Sequence, residues 1–102
     1  LADRIEPADL EGRKILIGIT WELADGGYEQ EQFVGVASIE DQATYALVRV
    51  RCDDGEVRDY PFDVRTLQRA PAGEYRMRST GQIVRNPDFL MTWLATKGMS
   101  EE

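Results

Sequence analysis

Hydrophobic and polar residues alternate along most of this 102-residue chain, instead of recurring every three or four positions, and a period of two is the mark of half-buried strands. Ile15, Ile17, Ile19 and Trp21 share one parity and predict a first strand over residues 15–21, with Trp21 in the core beside the isoleucines. Asp25, Gly26 and Gly27 break the alternation. It resumes over residues 30–39, where Phe33, Gly35, Ala37 and Ile39 lie on one face, and after a turn at 40–43 it continues over 44–52. Pairing Phe33 with Val50, Gly35 with Val48 and Ala37 with Ala46 keeps small and apolar groups together, whereas a slip of one residue sets Phe33 against Arg49 or Arg51. In that register Arg49 and Arg51 share the opposite face with Val34 and Gln32.

Asp53, Asp54 and Gly55 form the next turn, with Gly55 free to take positive φ, and residues 57–60 make a short fourth strand that Pro61 ends. Phe62, Val64 and Leu67 fall within one helical or 3₁₀ turn ahead of Pro71. Residues 74–78 and 82–84 alternate again as short strands. The stretch 88–97 satisfies two patterns. Asn86, Pro87 and Asp88 before it and Gly98 after it would bracket a helix, yet Phe89, Met91 and Trp93 alternate as a strand does, and a strand could pair with 82–84 as a C-terminal hairpin. The expected organisation is one domain over 1–102: an acidic N-terminal arm at 1–12, a bent antiparallel barrel at 13–78, a hairpin or short helix at 79–97, and a tail at 98–102 that frays.

Composition narrows the chemistry. With 42% hydrophobic residues the chain can bury one core. No apolar run approaches the ~20 residues that span a bilayer, so no membrane partner is expected. Twelve basic residues against nineteen acidic ones leave a formal charge of −7, which disfavours nucleic acid as a partner because phosphate affinity comes from clustered Lys and Arg. Residues 15–48 contain no base at all and six acids, Glu22, Asp25, Glu29, Glu31, Glu40 and Asp41. The absence of histidine and the presence of one cysteine remove His-dependent triads, His-ligated zinc and any intrachain disulfide. A lone thiol fits a reducing cytoplasm.

The segment VRVRCDDGEVRDYPFDVRTLQRA, residues 48–70, sets a tight turn, a short strand and a single helical turn in succession, and in this order it resembles an SH3-like or Tudor-like small β-barrel. That resemblance implies a mainly β fold and a binding module more often than an enzyme. It does not imply a proline-rich ligand, since the loop ADGGYEQEQF lacks the aromatic motif of those binders; a Tudor-like aromatic cage would need Tyr28, Tyr60 and Phe62 to converge. Residues 73–93, GEYRMRSTGQIVRNPDFLMTW, resemble an uncharacterised bacterial family, which implies a bacterial protein.

Candidate reactive groups reduce to structural roles. Cys52 shares parity with Val48 and Val50 and packs as a small hydrophobe. Asp53, Asp54 and Asp59 lack the alternating spacing of a calcium loop, so no metal is expected. Glu22, Glu29 and Glu31 would need a walled cleft for acid–base work. No glycine sits in a phosphate-binding pattern, and no cofactor is expected. The binding candidates are Arg49, Arg51, Arg58, Arg76 and Arg78, two pairs of which could project from one sheet face and grip carboxylates bidentately, together with Tyr28, Tyr60 and Trp93, the last as a core residue or an aromatic anchor at an interface. These features point to a non-enzymatic protein-interaction module, with an immunity- or antitoxin-like protein masking a basic partner as one form of it and a homodimer as another. The competing expectation is a small barrel that holds an acidic small molecule on the arginine face.

Overall fold

The computed structural model describes residues 4–78 and 80–96. β1 (Lys14–Glu22) is the hub of the fold. Its Ile-rich, uncharged stretch suits a strand with neighbours on both sides: β2 (Tyr28–Asp41) pairs with it antiparallel and β8 (Phe89–Thr96) pairs with it parallel. Outward from β2 come β3 (Ala46–Cys52) and β4 (Val57–Pro61), and β5 (Leu67–Arg69) flanks β8, giving the order β4-β3-β2-β1-β8-β5. β6 (Glu74–Arg76) and β7 (Ile83–Arg85) form a separate two-stranded sheet. Two 3₁₀ turns, Pro7–Leu10 and Val64–Thr66, are the helical elements among the described residues. The protein is therefore mainly β, with the single turn before Pro71 where the sequence places it. No helix is long and apolar enough to cross a membrane.

Alternation assigns the faces. Ile15 and Ile17 on β1, Ala37 on β2, Val48, Val50 and Cys52 on β3, Leu67 on β5 and Phe89 and Met91 on β8 point inward and make the main core. Ile5 and Leu10 from the N-terminal segment join them, Leu10 with no exposed surface. Main-chain bonds from Gly12 N–H to the Ala37 carbonyl, 2.8 Å, and from Ala37 N–H to the Arg13 carbonyl, 2.9 Å, hold that segment against β2. On the outer face Leu16 and Val34 pack under Met77 and Val84 of the β6–β7 hairpin, with Tyr75 and Leu90 at the margin. Two layers thus share one central sheet.

The six-stranded sheet is not closed into a barrel, because its outer strands β4 and β5 share no hydrogen-bonded ladder. Side chains span the inner side instead: the Tyr60 ring on β4 stacks on the Trp93 ring on β8, centroids 5.9 Å apart.

Three expectations are corrected. The C-terminal hairpin does not form, since β7 pairs with β6 and β8 lies between β1 and β5. The residues 86–88 decide this. Asn86, at φ 48°, donates its N–H to the Gly73 carbonyl and accepts the Gly73 N–H on Oδ1, both at 2.8 Å, which seals the base of the β6–β7 hairpin. Asp88 then donates its N–H to the Lys14 carbonyl at 2.8 Å and accepts the Lys14 N–H on Oδ2 at 2.9 Å, fixing β8 alongside β1 in parallel register. What reads as a helix cap is a strand clamp. The β2–β3 register also differs: Gly35 faces Cys52, Ala37 faces Val50 and Ile39 faces Val48. β2 runs on to Asp41 and the Gln42 N–H closes on the Tyr45 carbonyl at 2.8 Å, so the reversal comes later than expected. The shift is an even number of residues, which leaves every side chain on its expected face. Trp21, expected in the core, is half-buried at the sheet margin and donates Nε1–H to Glu31 Oε1 at 2.8 Å. The frayed tail expected at 98–102 lies outside the described residues.

Candidate functional site

The five arginines do not assemble into one face. Arg49 points outward from β3 and grips Asp59 with two nitrogens, at 2.9 and 3.1 Å, while a third pairs with Glu40. Arg51, on the same outer face, is exposed opposite Val36 and Val57. Arg58 lies on the inner side of β4, its guanidinium 3.8 Å from the Phe33 ring centroid and 3.2 Å from Asp54. Arg76 belongs to β6 and Arg78 follows it, so both sit on the separate hairpin, where the Arg78 N–H donates to the Gln32 side-chain carbonyl. The expected four-arginine grip, with the β3 pair and the 76/78 pair on one sheet face, is thus divided between β3 and the separate hairpin, and of the five candidates Arg49 and Arg58 are already neutralised.

These pairs carry a pH signature. The Arg49 hydrogen bond holds the Asp59 carboxyl below its ordinary 3.8, the Glu56 N–H does the same for Asp54, and Arg65 for Asp63. A carboxyl with a depressed native value binds its proton more readily once unfolded, so its contribution is complete above the unfolded value and is lost as pH falls through the native one. The melting temperature is therefore expected to hold from neutrality to about pH 5 and to fall as acid passes below 3.8. Asp59→Asn should flatten part of that fall; an unchanged acid profile in this variant would remove the pair from the account.

Of the aromatic candidates, Tyr60 and Trp93 come together and Tyr28 does not. Tyr28 is 64% exposed at the start of β2, opposite Glu22. Burial pushes the Tyr60 phenol up, and the buried Trp93 Nε1–H has no hydrogen-bond partner among the described residues. Phe62 packs on the core beside Tyr60, so no three-ring cage of Tyr28, Tyr60 and Phe62 forms. Cys52 is 5% exposed, and burial pushes its thiol up. A thiol-specific reagent should label it at least roughly ten-fold more slowly in the native protein than in denaturant; equal rates would show that Cys52 is accessible.

A cleft that alternation alone does not reveal lies along β2. β2 pairs with β1 from Tyr28 onward, but β3 covers its other side only from Gly35, and past that point the Asp53 N–H caps the Val34 carbonyl at 2.9 Å. In an antiparallel pair the main-chain groups of alternate residues face the same neighbour. The N–H and C=O of Gln32 and Gln30 therefore face the side that β3 has left, where no strand pairs with them. Into this gap opens a cavity of about 220 Å³ between β2, the 53–54 turn and Met77, Thr80 and Gln82. Phe33, Val34 and Met77 give it an apolar floor; Glu31, Asp53 and Asp54 stand around it, and among the described residues no Lys or Arg lines it, although Arg58 lies over the Phe33 ring and pairs with Asp54. Asp54 is paired with Arg58, whereas among the described residues Glu31 and Asp53 bond only to neutral donors, the Trp21 indole at 2.8 Å and the Gln82 amide at 3.3 Å. The sequence signal for it was the base-free acidic stretch; the missing part was the mismatch between a 14-residue β2 and a 7-residue β3.

Among the described residues no group of three or more His, Cys, Asp or Glu side chains could hold a metal ion. No known family, curated protein or solved structure matches the chain.

Proposed function

We propose that this chain is a non-enzymatic protein-interaction module of the bacterial cytoplasm, built on an SH3-like bent sheet and directed at a basic protein partner. The kinship with SH3-like barrels is supported by the succession of tight 53–55 turn, β4, 3₁₀ turn and β5, and by the Tyr60–Trp93 stack that bridges the bend. The observation that carries the interaction reading is the state of the arginines. An anion-binding pocket needs unpaired guanidinium groups converging on a concavity, and here Arg49 is taken by Asp59 and Glu40, Arg58 by Asp54, while Arg76 and Arg78 stand on another sheet. A grip on an acidic small molecule by the 49/51 and 76/78 pairs together is therefore not favoured, and of these only Arg49 and Arg51 share a hollow, in which Arg49 is already paired. The surface left with unbalanced charge is the acidic one, and an acidic surface speeds association with a cationic patch. An immunity- or antitoxin-like role, masking a basic active site, is the form of this reading that the charge favours.

The test is an affinity capture of the tagged protein from lysate of its source organism in moderate salt, with co-eluting proteins identified by mass spectrometry. One stoichiometric basic partner is expected, and a gel shift with nucleic acid in low salt should show no complex. Retention of nothing but the protein itself would overturn the heteromeric reading and leave a homodimer as its successor.

A further inference from the structure

The cleft beside β2 combines three properties that belong together: an uncovered strand edge, an apolar floor, and three carboxylates of which one, Asp54, is paired with Arg58, leaving an excess of acid at Glu31 and Asp53. We infer that it receives an extended segment of the basic partner, which adds as a strand to the β2 edge at residues 28–32 and sets Lys or Arg side chains against Glu31 and Asp53. This inference deepens the interaction reading above and rests on it.

The geometry for strand addition is already present. β3 stops where the chain turns at Asp53 and Asp54, so an incoming strand would occupy the lane that β3 vacates, hydrogen-bonding to the free N–H and C=O groups of Gln30 and Gln32. The open edge, five residues at 28–32, offers roughly 17 Å of backbone. Natural sheets protect such edges with charged side chains, prolines or bulges; here the edge reads Tyr28, Glu29, Gln30, Glu31, Gln32, with no proline and only acidic charges, a guard that repels an acidic strand and admits a basic one. Alternate side chains of the added strand would face opposite sides. Asp53, bonded to Gln82, borders the outer side by Met77, a carboxylate beside apolar surface, the surroundings that suit a long basic side chain with its methylene stem; on the inner side Glu31 stands next to Phe33, whose ring Arg58 already covers, so there a basic side chain would reach Glu31 at the end of β2 away from Arg58.

Charge also selects against the other obvious occupant. Two copies of this chain joined antiparallel along β2 would bring Glu31 of one copy against the same acidic edge of the next, with Asp53 close by, and like charges across a pair of strands are destabilising. A basic segment turns that repulsion into attraction.

The experiment is a titration of the full ¹⁵N-labelled chain with an acetylated peptide of about eight alternating Lys and Val residues, a length that covers the edge. Amide shifts are expected at residues 28–34 and 53–54. Two control peptides, one with Glu in place of Lys and one methylated on every second main-chain nitrogen, should bind at least about ten-fold more weakly, since each loses one half of the recognition. Gln30→Pro removes an N–H that faces the cleft and not β1, a position where an edge strand tolerates proline, and should weaken binding to the same degree with the rest of the spectrum retained. Should that variant fail to fold, the methylated peptide still tests the backbone contacts and Asp53→Asn the charge. Binding indifferent to methylation, shifts spread over the rest of the acidic surface, no binding at all, or a homodimer that Gln30→Pro dissolves would each overturn the proposal. A captured partner that survives Gln30→Pro would overturn this site while leaving the interaction reading intact, whereas loss of every partner from the wild-type chain strikes that reading itself.

Discussion

Gly35→Ala is expected to destabilise the protein by ~3 kcal/mol or more, the range of overpacking against a backbone that cannot yield. Gly35 does not need positive φ; its requirement is space. A Cβ at this position would lie 2.7 Å from the Arg51 carbonyl carbon and 2.8 Å from Cys52 Cα, both main-chain atoms of the adjoining strand. Real Cβ atoms essentially never come so close, so β3 would have to move away from β2 at the point where the ladder ends and the cleft begins. Urea unfolding should show a lower midpoint with little change in slope. Gly18→Ala is the control: it sits in neighbouring β1 with nothing within 4 Å of an added Cβ, and its midpoint should stay put or rise slightly. Equal behaviour of the two variants would contradict the close approach of β2 and β3 at Gly35.

The second large effect is expected at Ile17. Its side chain has no exposed surface and lies in the middle of the sheet, with Phe33 across β2 and Met91 across β8 as its register partners. Ile17→Ala removes three heavy atoms from a site walled by three strands that cannot easily collapse, and the cost of such truncations is ~4 kcal/mol, transfer and cavity together. In a domain of this size that is a large part of the total stability. The result also tests the topology. If β8 were a hairpin partner of β7, as the sequence pattern suggests, Ile17 would border fewer strands and the loss would be closer to ~1–2 kcal/mol. A double variant with Met91→Ala should then be non-additive in the structure described here, because the two side chains share one cavity.

The candidate arginines illustrate how far residue type carries. Strand parity places Arg49 and Arg51 outward correctly, and the bidentate habit of arginine is met by Asp59. Whether such a group is a ligand grip or an ion pair depends on what the next strand sets opposite, and here β4 sets Asp59 opposite Arg49. The β2 cleft was missed for a related reason. Its acids were visible as a stretch without a base, but a cleft is a relation between the lengths of two strands, and the expected strands 30–39 and 44–52 differ by a single residue. Moving that register by four residues uncovers Phe33 and the edge before it.

From the sequence alone follow the strand character of the chain, the inward set from Ile15 to Cys52 by parity, the tight turn at Gly55, the 3₁₀ turn before Pro71 and the excess of acid over base. Apart from the charge, which is a sum over the chain, all are local: each depends on residues two to four positions apart, where the pleat and the turn residues leave few alternatives. Tertiary structure alone decided that β8 runs parallel to β1, that β6 and β7 pack as a hairpin over Leu16 and Val34, that the sheet stays open, and that β2 outruns β3. A run of alternating residues presents the same apolar face to any partner strand of matching parity. The choice among partners is made by distant groups such as Asp88 against Lys14 and Asn86 against Gly73, whose pairing energy exists only once the chain has brought them together.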